Sequence, residues 1–282
     1  MAIWGSTWLA ITFQLGRVPP EASVTYRFLL ASLMLFAWCL ARGLALRYRA
    51  REHAWIALQG VLMFSVSYIY VYYAEQNVVS GLVAVGYSAS PLLSMLGMRL
   101  FFRTPMTSPM IAGSILGIVG ITLVFWPEFA HLRGDRATAL GALYTAIAVV
   151  VSTLGAMAAP RNHEARVPLW QGMAWGMLYG GLFSLGVTLA TGRPLVFEAT
   201  APYVLSLLYL AILGSIVAFA GYLTLLKRIG AARAGYIGVM VPIVALVISA
   251  AFEHFRWHAL TWIGIAVSVA GNVIVLRRRQ AT

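Results

Sequence analysis

Tyrosines, serines and tryptophans set into long apolar runs carry most of the chemistry this sequence offers. In the stretch Phe64 to Tyr73, Tyr68 and Tyr72 lie at i and i+4 and so share one helical face. Tyr87, Ser88 and Ser90 lead up to Pro91, Tyr236 and Met240 lead up to Pro242, and Tyr222 and Ser152 stand within further apolar runs. Trp4 and Trp8 sit beside Ser6, Thr7 and Thr12 and offer the same mixture of ring and hydroxyl. A phenol in the middle of such a run needs a partner for its hydroxyl, either another helix or a polar cargo. Rings, methionine and hydroxyls can enclose an apolar or aromatic body, and freed backbone carbonyls near the prolines can hold an ammonium group. That chemistry is the binding of a neutral or zwitterionic small molecule. Arg27 is the one charge well inside an apolar run rather than near its ends. Placing it there costs about 2.5–3.5 kcal/mol on insertion scales, so it calls for a reason. It either snorkels or bonds carbonyls freed in a neighbouring helix, or it binds a carboxylate or acts as a gate.

Other chemistries find no residues. The single lysine, Lys227, is followed by Arg228 rather than by Ser or Thr, so there is no Walker motif. His163-Glu164 lacks a second histidine at the metalloprotease spacing, and no serine has a histidine within an apolar run to activate it. Cys39 is alone, which excludes an internal disulfide and a cysteine-based metal site. The acids Glu21, Glu52, Glu75, Glu128, Asp135, Glu164, Glu198 and Glu253 all fall in loops or at run ends, which gives no obvious proton relay. No catalytic residue, cofactor or metal is expected.

The elements that must position the aromatic and hydroxyl residues follow from hydropathy. The 282 residues are 61% hydrophobic and only 10% charged, with a mean hydropathy of +0.84, against about 25% charged in a soluble domain. Apolar runs fall at about 2–16, 20–41, 54–74, 80–102, 106–126, 138–159, 168–191, 202–226, 233–252 and 259–276. Each approaches the roughly 20 residues a transmembrane helix needs. The gaps hold Gly16 with Pro19 and Pro20, Pro105, Pro127, Pro160, Gly192 with Pro194, and Gly230. An all-α integral membrane protein with ten transmembrane helices is the expectation.

Net charge is +12, and its placement explains it. Alternate loops and the C-terminal tail hold 14 of the 20 Lys and Arg, including Arg42, Arg47, Arg49, Arg51, Lys227, Arg228, Arg233 and Arg277 to Arg279; the opposite side holds five. The positive-inside rule then puts both termini in the cytoplasm. The basic excess is an orientation signal scattered over short loops, so no nucleic-acid partner is expected. Trp38, Trp55, Trp126, Trp170 and Trp257 fit an interfacial belt by position.

Sliding the second half against the first by 151 residues superposes Pro91 on Pro242, Phe101 on Phe252, Gly113 on Gly264, Gly120 on Gly271 and Val124 on Val275. An odd number of spans per repeat forces opposite orientations, so residues 1–138 and 139–282 read as two inverted five-helix repeats around a central cavity. Pro91 and Pro242 are read as the two mid-span prolines. Each interrupts the helix ladder, which in lipid is tolerated where the freed carbonyl faces protein or a watery path, and each is a candidate flex point. Gly113 and Gly117, Gly172, Gly176 and Gly180, and Gly264 and Ser268 have small-xxx-small spacing, mainly for helix packing.

The start Trp4-Gly5-Ser6-Thr7, the proline-led second helix with Tyr26-Arg27-Phe28 and Ala31, the small-residue runs before Pro91 and Pro242, and the glycine-spaced fifth and tenth helices form a set. Together they resemble the EamA-type members of the drug/metabolite transporter superfamily over the whole chain. The resemblance implies a ten-helix exporter of small metabolites in the cell inner membrane, most similar to the branch exporting amino acids, aromatic ones included. A nucleotide sugar or purine is the alternative cargo; a channel or structural membrane protein is the alternative class. The partners expected are a small-molecule substrate and the lipid bilayer, with the chain working as a monomer.

Overall fold

In a computed structural model the chain is helical throughout its regular parts, with residues 1–103, 108–131, 136–222, 224, 236–253 and 257–277 described. The helices are α1 (Ala2–Thr12), α2 (Pro20–Ala41), α3 (Ala50–Glu75), α4 (Ser80–Gly86), α5 (Ser90–Phe102), α6 (Ser108–His131), α7 (Arg136–Glu164), α8 (Leu169–Ala190), α9 (Ala201–Tyr222), α10 (Tyr236–Phe252) and α11 (Ala259–Arg277). Among the described residues five are long and apolar enough to cross a membrane: α2, α3, α8, α9 and the Arg136–Ala158 part of α7. Pro105, Gly230, Lys227, Arg228 and Arg233 lie outside the described residues.

Two compact units form, and each draws on both halves of the sequence: one from residues 1–9, 74–150 and 224–282, the other from 10–73 and 151–223. In the second unit α2 and α8 are each 22 residues long. Each starts after a proline N-cap, Pro19 and Pro168. Each ends in a left-handed glycine, Gly43 at φ 63° and Gly192 at φ 65°. Leu44 and Arg193 then donate their N–H groups back to the carbonyls of Cys39 and Thr188, the Schellman closure. Only glycine adopts that φ without strain, which is why these two helices stop there.

Small residues set the helix spacing, because lipid-facing helices gain nothing from the hydrophobic effect when they associate. Gly60 of α3 lies against the backbone of Gly176 on α8, with Gly180 beside it, and Ser65 bonds Ser184 at 2.6 Å. Ser32 of α2 donates to the carbonyl of Ala174 at 2.9 Å. In the first unit α6 and α11 meet through Gly113 against Gly271 and Gly120 against Gly264. Ser268 donates there to the carbonyl of Gly117, 151 residues away.

Two helices carry π-helical turns. In α3 it spans Leu62–Val66 and is closed by Ser67 N–H to Leu62 O; in α9 it spans Leu210–Val217 and includes Ala218 N–H to Leu213 O. The two bonds stand 151 residues apart, the same shift that superposes the prolines.

Two helix ends depart from the sequence expectation. Pro127 and Pro160, expected between helices, lie inside α6, which continues to His131, and inside α7, which continues to Glu164. A proline one turn from a helix end removes a single bond of the helix ladder.

Candidate functional site

Proline 91 shapes the first cluster. It is the second residue of α5, where a missing N–H costs nothing, and the turn before it, Tyr87–Ala89, tightens to a 3-10 helix. The carbonyl of Tyr87, which a continuous α-helix would pair with residue 91, accepts instead from the N–H of Ser90. Ser88 donates its hydroxyl to the carbonyl of Val85 at 2.6 Å. The break turns Tyr87 against α1, and its ring meets Trp8 at 5.1 Å between centroids, tilted by 55°. The indole Nε1 of Trp8 is buried and has no hydrogen-bond partner among the described residues. Trp4 and Ser90 are half-buried nearby in sequence, on α1 and α5. In α10, Pro242 lies inside the helix as expected. Tyr236 and Met240 belong to the same helix, but their side chains lie outside the described residues.

In the other unit the cluster centres on Arg27. Its side chain is 1% exposed, so the snorkelling expectation fails: the residue faces α3 and α9 rather than an interface. Nε donates to the hydroxyl of Ser215 at 3.1 Å. Ser215 sits in the π turn of α9 and passes its own proton to the carbonyl of Leu210 at 2.9 Å. The guanidinium carbon stands 4.5 Å from the centre of the Tyr68 ring and 5.1 Å from that of Phe28, both within cation-π range. Phe28 in turn packs edge-on to Tyr68 at 5.0 Å and against Phe64 at 5.4 Å, and Phe64 meets Phe219 at 5.5 Å. Both π turns thus present residues to this cluster, Phe64 from one and Ser215 from the other. Such turns are frequent at functional sites because they re-aim side chains. Nη1 of Arg27 has no hydrogen-bond partner among the described residues.

Tyr72 shares a helix with Tyr68 but not its surroundings. It is fully buried, and its hydroxyl donates to Oε1 of Gln14 at 2.7 Å. Next to it in sequence, Tyr73 donates to Oε1 of Glu21. Glu21 is therefore at a helix end, as expected, yet buried rather than solvated; Glu75 is buried as well. A helix N-terminus favours a carboxylate, and Glu21 lies in the first turn of α2. Ser152 and Tyr222 are half-buried on α7 and α9.

Two groupings were not visible in the residue pattern. Glu253 accepts from the N–H and hydroxyl of Ser80, at 3.1 and 2.5 Å, and from the hydroxyl of Ser249 at 2.5 Å. It caps α4 from the end of α10. His53, at the start of α3, is ringed by Tyr48, Trp175 and Tyr179, and Tyr179 bonds its Nδ1 at 2.8 Å. Burial, with smaller contributions from Cys39 and Glu52, pushes the Tyr48 phenol in the adjacent loop above its ordinary value.

The family model for EamA-like transporters matches residues 1–126 and 139–277. The chain belongs to the EamA-like transporter family. Among its relatives, the uncharacterized inner membrane transporter YedA of Escherichia coli is 28% identical over 277 residues, covering 97% of this chain and 87% of the relative. Protein PecM of Dickeya dadantii is 24% identical over 275 residues, covering 97% and 88%. A protein known from a crystal structure shares the fold at a TM-score of 0.73 with 21% identity, covering 99% of this chain and 95% of that one. As an EamA-like transporter the protein is a membrane transporter of small molecules and not an enzyme.

Proposed function

We propose that this EamA-like transporter exports neutral or zwitterionic metabolites with an apolar or aromatic body, amino acids among them, across the cell inner membrane by alternating access. The observation that carries this reading is the Arg27 cluster: one guanidinium within a cage of Tyr68, Phe28 and Phe64. A polyanion such as a nucleotide sugar would need several such cations. Trp8 and Tyr87, with Trp4, Ser88 and Ser90, are proposed as cargo contacts in one unit; Tyr68, Tyr222 and Ser152 are proposed in the other. Tyr72, Tyr236 and Met240 keep that role as proposals, with Pro91 and Pro242 as flex points.

Ten spans in two inverted repeats, with both termini cytoplasmic, complete the proposal. Support comes from contact pairs that exchange under the 151-residue shift. Gly113 meets Gly271 and Gly120 meets Gly264, and the shift carries Gly113 to Gly264 and Gly120 to Gly271. A two-fold relation turns each contact into the other. Transport down the cargo gradient is the expected energetics. Counterflow into proteoliposomes of purified protein, screened with labelled amino acids, purines and nucleotide sugars, tests the reading. Amino-acid exchange without ATP or a pH gradient is expected; exchange of nucleotide sugars alone would overturn the cargo assignment.

A further inference from the structure

Arg27 is buried. Among the described residues no carboxylate pairs with it; its contacts are Ser215, Tyr68 and Phe28. Glu21 stands six residues earlier on the same helix, roughly 9 Å along the axis, and one of its oxygens is taken by Tyr73. A lone charge held away from water is costly unless something compensates it. Aromatic faces and one hydroxyl dipole compensate it in part.

The hydroxyl also fixes how the fork points. Because Ser215 spends its proton on Leu210, only its lone pairs face Arg27, and they hold Nε. Pinning Nε leaves the Nη side of the fork, and Nη1 is the donor without a partner. A planar fork with a free donor edge is the group that matches a carboxylate. Helix docking does not require it: Arg27 is the eighth residue of α2, and the eighth residue of α8 is Gly176. Gly176 lies against Phe64 as Arg27 lies against Ser215, and Phe64 and Ser215 are again 151 residues apart.

We propose that Arg27 is the receptor for a single carboxylate on the transported molecule, with Tyr68 as the half-buried rim through which it is reached. This rests on the exporter reading and deepens it: the cargo must end in one carboxylate, and amines lacking it are rejected. The cluster is closed in this structure, so the carboxylate reaches Nη1 when Tyr68 turns aside.

The test uses the full-length protein in proteoliposomes with three probes: L-phenylalanine, L-phenylalaninamide and 2-phenylethylamine. Wild type is expected to exchange the acid at least about tenfold faster than the amide or the amine, the discrimination expected of one charge-assisted hydrogen bond in a dry site. Arg27→Gln should lower exchange of the acid by about tenfold or more and leave that of the amine within about twofold, while Arg27→Lys recovers part of the loss. Equal exchange of acid and amide by wild type, or unchanged discrimination in Arg27→Gln, would overturn the proposal. A second readout does not depend on transport: thermal stabilisation of the purified protein by 3-phenylpropanoate, a carboxylate without an amine. A shift in wild type that Arg27→Gln loses and Arg27→Lys partly keeps supports the assignment even if no amino acid is exchanged, in which case only the cargo reading falls. No shift in wild type, or the same shift in the variants, overturns the assignment itself.

Discussion

Replacing Gly60 with alanine tests how α3 is seated on α8, two residues before the π segment that presents Phe64. A Cβ at residue 60 would stand 2.2 Å from the carbonyl oxygen of Gly176 and 2.8 and 2.9 Å from its C and Cα atoms. Carbon and carbonyl oxygen come no closer than about 3.3 Å in good contacts, so the helices must part by about 1 Å. The obstacle is backbone, and no rotamer relieves it. Overpacking of this kind costs about 1–3 kcal/mol. Parting the helices also strains the Ser65–Ser184 bond at 2.6 Å, and an interhelical bond of that type contributes about 0.6–1.7 kcal/mol in membrane proteins. Together they give an expected loss of about 2–4 kcal/mol. The control is Gly186→Ala on α8, where an added Cβ meets nothing within 4 Å; better helix propensity should make it neutral or stabilising by up to about 1 kcal/mol. Reversible unfolding of both variants in mixed detergent–SDS micelles measures the difference directly. If Gly60→Ala unfolds within about 0.5 kcal/mol of the parent, the ordinary spread of a surface change, the close approach is not what holds these helices.

Glu253→Gln should lower the melting temperature by about 3–8 °C, since an amide keeps the shape but loses the charge and one acceptor that cap α4; a shift under 1 °C in detergent would refute the cap. Pro91→Ala returns an N–H aimed at the carbonyl of Tyr87 while loosening the unfolded chain, and these effects offset to within about 1 kcal/mol. Its melting should therefore hold while counterflow slows, and unchanged counterflow would mean that the 3-10 break is not a moving part.

Much of the helical pattern was legible in the apolar runs, because a bilayer demands length and greasiness before anything else. Gly192 marks a helix end as expected, at positive φ, whereas Gly16, also at positive φ, lies four residues past the end of α1 at Thr12. Pairing was not legible: the meeting of Tyr87 with Trp8 and of Arg27 with Tyr68 depends on which helices pack together, which residue type and spacing do not carry. The π turns were invisible, since an i+5 bond has no residue signature and depends on which neighbour needs the extra residue. Burial of Glu21 was missed because its cause, Tyr73, lies 52 residues away. Pro19 and Gly43 of α2 have counterparts in Pro168 and Gly192 of α8, each pair two residues short of the 151-residue shift, so a gapless slide passes over them.

That two-residue offset separates what the proposed repeat shares from what it does not. Helix starts, helix stops, π turns and glycine seams all recur between the halves, and each solves a problem of building helices in lipid. Such features recur because both copies face the same physical demand. Arg27 does not recur. At the matching place the second copy has Gly176, which gives its space to Gly60 and Phe64, and the chain stays packed there without a charge. A residue needed to seat α2 on α9 would be expected in both copies, whereas a residue that meets one end of an asymmetric molecule is needed once. The proposed cargo, with one carboxylate, cannot use two receptors related by a two-fold axis. On the proposed reading the break in symmetry at Arg27 is an argument independent of its hydrogen bonds, and moving the arginine from residue 27 to residue 176 should not restore what Arg27→Gln removes.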